Sequence, residues 1–311
     1  MAALLHGLKR IPEPTDLTAV VTVTDDGGSS GRLRRDFDVL PPGDIRNCMV
    51  ALAEDETLLT RLFQYRFKTG RGLKGHSFGN LFLTALTDVT GDFAKAVRIS
   101  SAVLPIKGRI FPSTAANVQL EAELENGRRV AGETRISKSR SPIAVVRLKP
   151  RRCKPMKETL QAIEEADLIS FGPGSLYTSV IPNLLVEGIP AAVRRSRAVK
   201  AYFVNLMWQP GETMHYTAAD HVQAIEKHAG KNLLDYVIVN TRPVSTALRR
   251  KYGNQQVSQV ENDLERLAGM GLAIVARDLL EEKTTVRHNP ALAAEVAVQL
   301  AQEGRRGRER G

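Results

Sequence analysis

Four stretches of the chain are continuously apolar or β-branched, as expected for strands that are covered on both faces of a sheet. They are LTAVVTVT (17–24), ADLISF (166–171), KAYFVNLM (200–207) and DYVIVNT (235–241). Elsewhere apolar positions recur every three or four residues, which predicts helices. These helical stretches are IRNCMVALAEDETLLTRLFQYRF, GNLFLTALTDVT, KETLQAIEEA, AADHVQAIEKHA and ALAAEVAVQLAQE. The alternation predicts an α/β fold with a mainly parallel sheet and helices on both faces.

One segment departs from this pattern. In NVQLEAELENGRRVAGETRI, apolar and polar residues alternate from Val118 to Leu124, and Asn126-Gly127 is a favoured pair for a tight hairpin turn. We therefore expect an antiparallel β-ribbon inserted at about 108–148. No shift in composition marks a linker, so residues 1–303 are expected to form a single domain and the basic segment 304–311 a disordered tail.

Composition narrows the class of protein. A chain of 311 residues, 42% of them hydrophobic, is long enough to bury a full core. Two cysteines, Cys48 and Cys153, are too few for a disulfide framework and too far apart for a local zinc knuckle. No run approaches the roughly 20 apolar residues of a membrane helix. These features predict a cytoplasmic protein without a membrane span.

The formal net charge of +10 predicts an anionic partner. Four of the arginines lie in the tail EGRRGRERG, where no aromatic residue accompanies them. Nucleic-acid binding usually combines a basic face with interleaved aromatic residues, which make up 5% of this chain. A small phosphorylated ligand is therefore favoured over nucleic acid.

Ligands of open α/β sheets bind beyond the carboxyl ends of the strands, and the first such loop here is DDGGSSG. Its glycines allow backbone amides to approach an anion, Ser29 and Ser30 add hydroxyls, and Asp25 or Asp26 can accept from a sugar hydroxyl. The alternative interpretation is an ordinary turn whose acids cap a helix.

The second loop is FGPGSLYTS. Gly172, Pro173 and Gly174 form a turn, and Ser175 is expected to begin a helix whose unpaired amides point at a phosphate. The spacing matches neither the P-loop nor the dinucleotide fingerprint. A tight strand-to-helix turn without a ligand is the structural alternative.

Two later loops each offer one candidate ligand contact. Asn205 follows a predicted strand and is placed to contact a sugar hydroxyl or a base edge. Arg287 precedes a helix that Asn289 is expected to cap, and its guanidinium is suited to a diphosphate, although a lone arginine is as often a solvated charge. Thr217 and Asp220 are instead expected to form a capping box.

Two further clusters favour structural roles. In LPPGDIRNC, Asp44 is expected to cap a helix, with Arg46 and Asn47 able to reach toward a ligand. In GHSFGN, His76 and Ser77 are adjacent, but neighbouring side chains diverge and no orienting acid is identifiable, so hydrolytic catalysis is disfavoured. Ser77 is expected to cap the next helix. No catalytic residue and no metal ligand is assigned.

Five motifs in order resemble a known family. VTVTDDGGSSGRLR, LPPGDIRNC, GHSFGN, FGPGSLYTSVIPNLLV and QPGET are similar to those of the CofD-like superfamily, most closely its YvcK branch of gluconeogenesis factors. The resemblance covers nearly the whole chain. It implies a Rossmann-like cytoplasmic protein that binds a UDP-sugar, chiefly UDP-N-acetylglucosamine, and supports cell shape and wall-precursor metabolism during gluconeogenic growth.

The resemblance also implies a set of site residues and partners. The nucleotide pocket would include Asp25, Asp26, Ser29, Ser30, Gly172, Pro173, Gly174, Ser175 and Asn205, with Arg287 as the arginine of the family's RH pair. No cofactor is expected beyond the nucleotide sugar. A metabolic enzyme and a second copy of the chain are the protein partners considered.

Two departures from the family pattern bear on the ligand. The chain opens at MAALLHGLKR, which resembles the second half of the helix after the family's GGGTG loop, so the native start is expected upstream of Met1. Trp208 stands where the family usually has threonine, and its ring is expected to stack on a base or to block one.

These observations lead to three hypotheses of different classes. The main one is a ligand-binding regulator without catalysis. The alternative is an enzyme of the 2-phospho-L-lactate transferase type, in which Asp25 or Asp26 acts as base or metal ligand. A third is a basic protein associated with nucleic acid, whose affinity would fall steeply with salt.

Overall fold

The structure is a computed structural model that describes residues 1–54 and 58–309. Its helices alternate with the strands along the chain. They are α1 (Ala2–Leu8), α2 (Gly28–Phe37), α3 (Gly43–Leu52), α4 (Leu58–Gln64), α5 (Phe78–Thr90), α6 (Phe93–Val103), α7 (Glu133–Ile136), α8 (Lys157–Glu165), α9 (Ile181–Leu184), α10 (Ile189–Arg195), α11 (Ala218–Ala229), α12 (Thr246–Gly253), α13 (Leu264–Gly269) and α14 (Pro290–Glu309). A π-helical turn, Leu176–Val180, leads into α9.

The strands form four separate sheets. They are β1 (Thr18–Val21), β2 (Arg109–Pro112), β3 (Gln119–Leu124), β4 (Arg129–Ala131), β5 (Ile143–Lys149), β6 (Leu168–Phe171), β7 (Val199–Phe203), β8 (Tyr236–Asn240), β9 (Ala273–Arg277), β10 (Leu280–Glu282) and β11 (Val286–His288). The four predicted strand stretches correspond to β1, β6, β7 and β8.

The sheets have the predicted mixture of parallel and antiparallel pairing. The largest has the parallel order β6-β7-β8-β9, and β1 pairs in parallel with β2. The ribbon is antiparallel in the order β4-β3-β5, with Gly127 at φ +79° in its turn. β10 and β11 form a hairpin. The α/β fold class with an inserted ribbon is confirmed, although β2 belongs with β1 and antiparallel pairing begins only at β3.

Helix starts follow the sequence signals in three places. The Ser77 side chain accepts from the Asn80 amide, and Thr217 forms its capping box on α11. Asn289 Oδ1 accepts from the first amides of α14 at 3.0 and 3.2 Å. The cap predicted at Asp44 is wrong, because α3 begins at Gly43 without a side-chain cap and Asp44 lies inside its first turn.

The long helix expected between Ile45 and Phe67 is instead two helices. α3 ends where Ala53 adopts an extended conformation, at φ −56° and ψ 132°. α4 then ends at Gln64, and the predicted stretch between them includes residues 55–57, which lie outside the described residues. Periodicity thus identified helical sequence without showing where the chain turns.

The carboxyl-terminal segment is helical as far as Glu309. It continues α14, and Arg305 and Arg308 both form ion pairs with Asp167. Gly304 packs so closely against Asp167 that an added Cβ would lie 2.0 Å from the carbonyl oxygen. The helix extends as far as Glu309, and residues 310–311 lie outside the described part; the disorder predicted from residue 304 stays a prediction.

The core lies on both faces of the large sheet. On one face α1 and α14 pack against β7 and β8, burying Leu4, Phe203, Ile238 and Leu300. On the other, Tyr202 of β7 faces His221 of α11, with ring centroids 6.4 Å apart. In the described ranges no single helix is long and apolar enough to cross a membrane, and one bent pair, Leu176–Leu184 with Ile189–Arg195, passes that test by length and composition only.

Candidate functional site

A cavity of about 670 Å³ is lined mainly by α1, α3 and α4. Val21 and Thr22 line it from the end of β1, and Gly174 lines it from the loop after β6. The first turn of α3 contributes Arg46 and Asn47. Among the described residues predicted for the nucleotide site, Gly174 lines this cavity, whereas the loop after β1 and Asn205 lie outside its lining.

The loop after β1 is held by its two aspartates. Asp25 Oδ1 accepts from the Gly27 amide at 2.8 Å. Asp26 Oδ1 accepts from both the amide and the hydroxyl of Thr134 on the ribbon, at 2.9 and 2.8 Å. α2 then begins at Gly28 with no side-chain cap. Its first amides therefore remain donors for an anion.

Ser29 and Ser30 are buried and contact residues at the start of α5. Ser29 Oγ lies 3.0 Å from Nδ1 of His76. Asn80 donates through Nδ2 to Ser30 Oγ at 3.4 Å, and its Oδ1 accepts from Nε of Arg46 at 3.1 Å. The hydroxyls of this loop are thus oriented by side chains from another element.

A chain of side-chain amides orders the loops after β6 and β7. Gln209 Nε2 donates to Ser175 Oγ at 2.8 Å, and Gln209 Oε1 accepts from Nδ2 of Asn205 at 2.6 Å. The Asn205 Oδ1 atom is buried and has no hydrogen-bond partner among the described residues. A buried acceptor without a donor costs about 1–3 kcal/mol, so this atom is a candidate ligand contact.

The ribbon links the two loops. Glu133 lies next in sequence to Thr134, which binds Asp26, and Ser137 follows on the same short helix. Ser137 Oγ lies 3.4 Å from Glu212 Oε1, and the other oxygen of Glu212 accepts from the Tyr177 amide at 3.2 Å. The segment 132–137 therefore forms one wall that reaches both loops.

Carboxyl groups are concentrated in this wall and the adjoining helix. Burial and, next, the nearby Asp25 raise the pKa of Asp44 to about 6. Burial and the neighbouring Asp44 raise the pKa of Glu133 to about 9, and Glu133 Oε2 has no partner in the described part of the chain. At neutral pH Glu133 is therefore a protonated acid and a hydrogen-bond donor.

β11 places Arg287 near the end of β7. His288 Nε2 lies 3.2 Å from the carbonyl oxygen of Val204, the residue before Asn205. Burial lowers the pKa of His288 to about 4, so the imidazole is neutral at pH 7 and bonds this carbonyl through Nε2. The Arg287 side chain is exposed. The structure therefore brings the backbone of β11 close to Asn205 and leaves the Arg287 guanidinium in solvent.

The predicted site residues fall in two groups joined by the ribbon wall. One group follows β1: Asp25, Asp26, Ser29 and Ser30. The other follows β6 and β7: Gly172, Pro173, Gly174, Ser175 and Asn205, with Arg287 nearby. Trp208 packs against the core, its Nε1 donates to the Tyr216 carbonyl at 3.0 Å, and its ring lies on His215 with centroids 4.6 Å apart.

Several residues of the site were not identified from sequence. Gln209 joins the loops after β6 and β7 through Ser175 and Asn205. His76 bonds Ser29, whereas the sequence analysis considered it only together with its neighbour Ser77. Thr134 and Glu133 lie in a ribbon that gave no chemical signal. Among the described residues no group of three or more histidine, cysteine or acidic side chains is arranged to hold a metal ion.

Comparison with known families gives one match over most of the chain. Residues 1–280 match the family described as 2-phospho-L-lactate transferase CofD. A "Gluconeogenesis factor" of Bacillus subtilis is 47% identical over 304 residues, which cover 97% of this chain and 95% of that protein. A "Gluconeogenesis factor" of Halalkalibacterium halodurans is 45% identical over 300 residues, which cover 96% and 92%.

Some relatives are longer than this chain. A Nostoc sp. protein is 50% identical over 299 residues, which cover 95% of this chain and 65% of that protein. Two crystal structures of a Bacillus halodurans protein, one describing it as a member of the UPF0052 family, are each 45% identical to the chain. Their TM-scores are 0.93 and 0.92, and they cover 96% of this chain and 95% and 96% of those chains.

Proposed function

The chain belongs to the family of 2-phospho-L-lactate transferase CofD, and we propose that within this family it binds a UDP-sugar, chiefly UDP-N-acetylglucosamine, as a regulator. Its relatives are named gluconeogenesis factors. In this proposal the protein acts in the cytoplasm and supports cell shape and wall-precursor metabolism during gluconeogenic growth. It needs no cofactor beyond the nucleotide sugar and transmits the bound state to a metabolic enzyme.

The observation that carries this proposal is the buried Oδ1 of Asn205. Its own Nδ2 is fixed by Gln209, so Oδ1 keeps a defined direction. The group that satisfies it must be a hydrogen-bond donor. The imide N3–H of uracil is such a donor, and it supports a uridine nucleotide as the ligand.

The loops on either side supply contacts for the rest of the molecule. The uncapped start of α2 and the turn at Gly174 and Ser175 offer backbone amides to a diphosphate. The exposed Arg287 adds a guanidinium that pairs with phosphate oxygens. The protonated Glu133 of the ribbon wall is suited to donate a hydrogen bond to a sugar oxygen.

The base contact is tested with a methylated nucleotide. UDP and 3-methyl-UDP differ only in the N3–H group, and each is titrated into the protein and into Asn205→Ala. The protein is expected to bind UDP about tenfold more tightly than 3-methyl-UDP, because methylation removes the donor. Asn205→Ala is expected to bind the two equally. Equal binding of both nucleotides by the unaltered protein would exclude this contact.

Group transfer remains the second candidate, because Asp44, which lines the cavity, and Glu133 have raised pKa values of about 6 and about 9. Groups with such values serve as general acids or bases near neutral pH. The assay incubates UDP-N-acetylglucosamine with the protein and Mg²⁺ and follows it by mass spectrometry. The regulator proposal predicts intact nucleotide, whereas turnover that Glu133→Gln abolishes would establish the enzyme.

A further inference from the structure

Two arginines from different elements are anchored on the turn that precedes α5. Arg32 of α2 donates through Nη2 to the carbonyl oxygen of Lys74 at 2.9 Å. Arg66, which follows α4, donates through Nη1 to the carbonyl oxygen of Gly75 at 2.6 Å. The two bonds attach both guanidinium groups to neighbouring residues of one turn, and both arginines lie close enough to His76 to lower its pKa.

The next residues of this segment bring in a third arginine and a histidine. Arg46 donates through Nε to Oδ1 of Asn80. His76, which follows the two anchoring residues Lys74 and Gly75, bonds Ser29. Burial lowers the pKa of His76, Arg32 and Arg66 lower it further, and Asp36 opposes them. His76 therefore lies near two cationic side chains and one acidic side chain.

The charges of this cluster are not matched by nearby ion pairs. Within residues 1–54 and 58–309, none of Arg32, Arg46 and Arg66 lies within 4.0 Å of a carboxylate as an ion pair. Burial and, next, Arg66 lower the pKa of Arg46, while Asp44 and Asp25 raise it without forming an ion pair with it. Holding like charges together costs free energy, which a bound anion recovers.

We propose that Arg32 and Arg66, with Arg46 behind them, form a binding site for a phosphate group of a second ligand, beside the nucleotide pocket. Each guanidinium donates one N–H in its anchoring bond, and its other N–H groups can donate to an anion. Two guanidinium groups from separate elements can bind different oxygens of a tetrahedral phosphate. A planar carboxylate needs only one guanidinium group, which binds both of its oxygens. The site does not depend on which nucleotide the first pocket binds.

The site adjoins the first pocket through two contacts. Arg46 lines the cavity, and the bond from His76 to Ser29 joins the cluster to the loop after β1. A nucleotide and a phosphate-bearing molecule therefore occupy neighbouring positions. This arrangement suits a protein that responds to a nucleotide sugar together with a phosphorylated metabolite.

The test is calorimetric titration of inorganic phosphate into the whole chain at fixed ionic strength, without nucleotide. Arg32→Gln and Arg66→Gln are each expected to weaken phosphate binding about tenfold, because each removes a charge-assisted hydrogen bond. Arg35→Gln and Arg71→Gln are the matched controls. They remove the same charge from exposed positions on the same helix and in the same loop, and less than a twofold change is expected.

Three results would overturn the proposal. They are the lack of saturable phosphate binding to the unaltered protein, equal weakening by the control variants, and complete loss of phosphate binding when saturating UDP-N-acetylglucosamine is present. Thermal melting checks that each variant is folded. Since Arg32 and Arg66 lie on different elements, either variant tests the site if the other does not fold.

Discussion

The Oγ atom of Ser29 and the Nδ1 atom of His76 lie 3.0 Å apart, although 47 positions separate the two residues in the sequence. Both side chains are buried. The bond connects the loop after β1 with the segment that begins α5. His76 therefore orients a hydroxyl of the candidate anion site, while its sequence neighbour Ser77 caps a helix.

His76→Leu is predicted to lower the free energy of unfolding by about 1–3 kcal/mol, because it leaves the Ser29 hydroxyl buried without its partner. Urea denaturation of the unliganded protein measures this change. Ser29→Ala and the double variant complete a thermodynamic cycle, in which a coupling of at least about 0.5 kcal/mol is expected. Strictly additive effects would show that the two side chains do not interact.

Asp44 is predicted to destabilise the protein as pH rises. The folded protein raises the pKa of the Asp44 carboxyl from 3.8 to about 6. The folded state therefore keeps its full stability below about pH 4, where the carboxyl is protonated, and loses part of it as the pH rises through about 6. At about 1.4 kcal/mol per pKa unit, the loss is on the order of 3 kcal/mol.

Asp44→Asn removes this titration. The variant is expected to unfold at higher urea concentration than the wild type at pH 8, with a smaller difference at pH 4. The exposed Asp88→Asn on α5 is the control, and its denaturation midpoint should match the wild type at both pH values. An Asp44→Asn protein less stable than wild type at pH 8 would contradict this account of the buried carboxyl.

Two glycines of α14 test whether its last turns are ordered. An added Cβ at Gly304 would lie 2.0 Å from the Asp167 carbonyl oxygen, while one at Gly307 meets nothing within 4 Å. Gly304→Ala is expected to lower the unfolding free energy by about 1–3 kcal/mol through overpacking. Gly307→Ala is expected to raise it by about 0.5–1 kcal/mol, because alanine favours the helix. If neither substitution moved the denaturation midpoint, residues 304–309 would be disordered.

Arg287→Ala is predicted to weaken UDP-sugar affinity by about 1.5–3 kcal/mol, since it removes a charge-assisted contact with the diphosphate. Calorimetric titration measures the change, and the exposed Arg250→Ala on α12 is the matched control. An affinity unchanged by Arg287→Ala would remove this residue from the site.

Local signals in the sequence predicted the elements that depend on local chemistry. Continuous apolar runs identified four strands, and the Asn126-Gly127 pair identified the ribbon turn. Ser77, Thr217 and Asn289 were recognised as caps because a cap binds amides only two or three residues away. Asp44 failed as a cap because Pro42 takes the N-cap position.

Contacts between distant parts of the chain could not be read from the sequence. Asp26 accepts a hydrogen bond from Thr134, which lies 108 positions away in the sequence. No pattern in the ribbon sequence predicts this contact. The order of the carboxyl-terminal turns depends on Asp167, whose role becomes visible only when α14 is placed beside β6. The basic composition of this segment, taken alone, predicts a solvated and disordered tail.

The measurement that tests the central claim most directly is calorimetric titration of UDP-N-acetylglucosamine and GDP into the chain. Saturable binding of UDP-N-acetylglucosamine, at least about tenfold tighter than that of GDP, is the predicted result, because the Asn205 acceptor is proposed to bind N3–H of uracil, whereas the larger guanine ring holds its N1–H donor at a different distance from the ribose. Tighter binding of GDP, or no binding of UDP-N-acetylglucosamine, would contradict the assignment of this site to a uridine nucleotide.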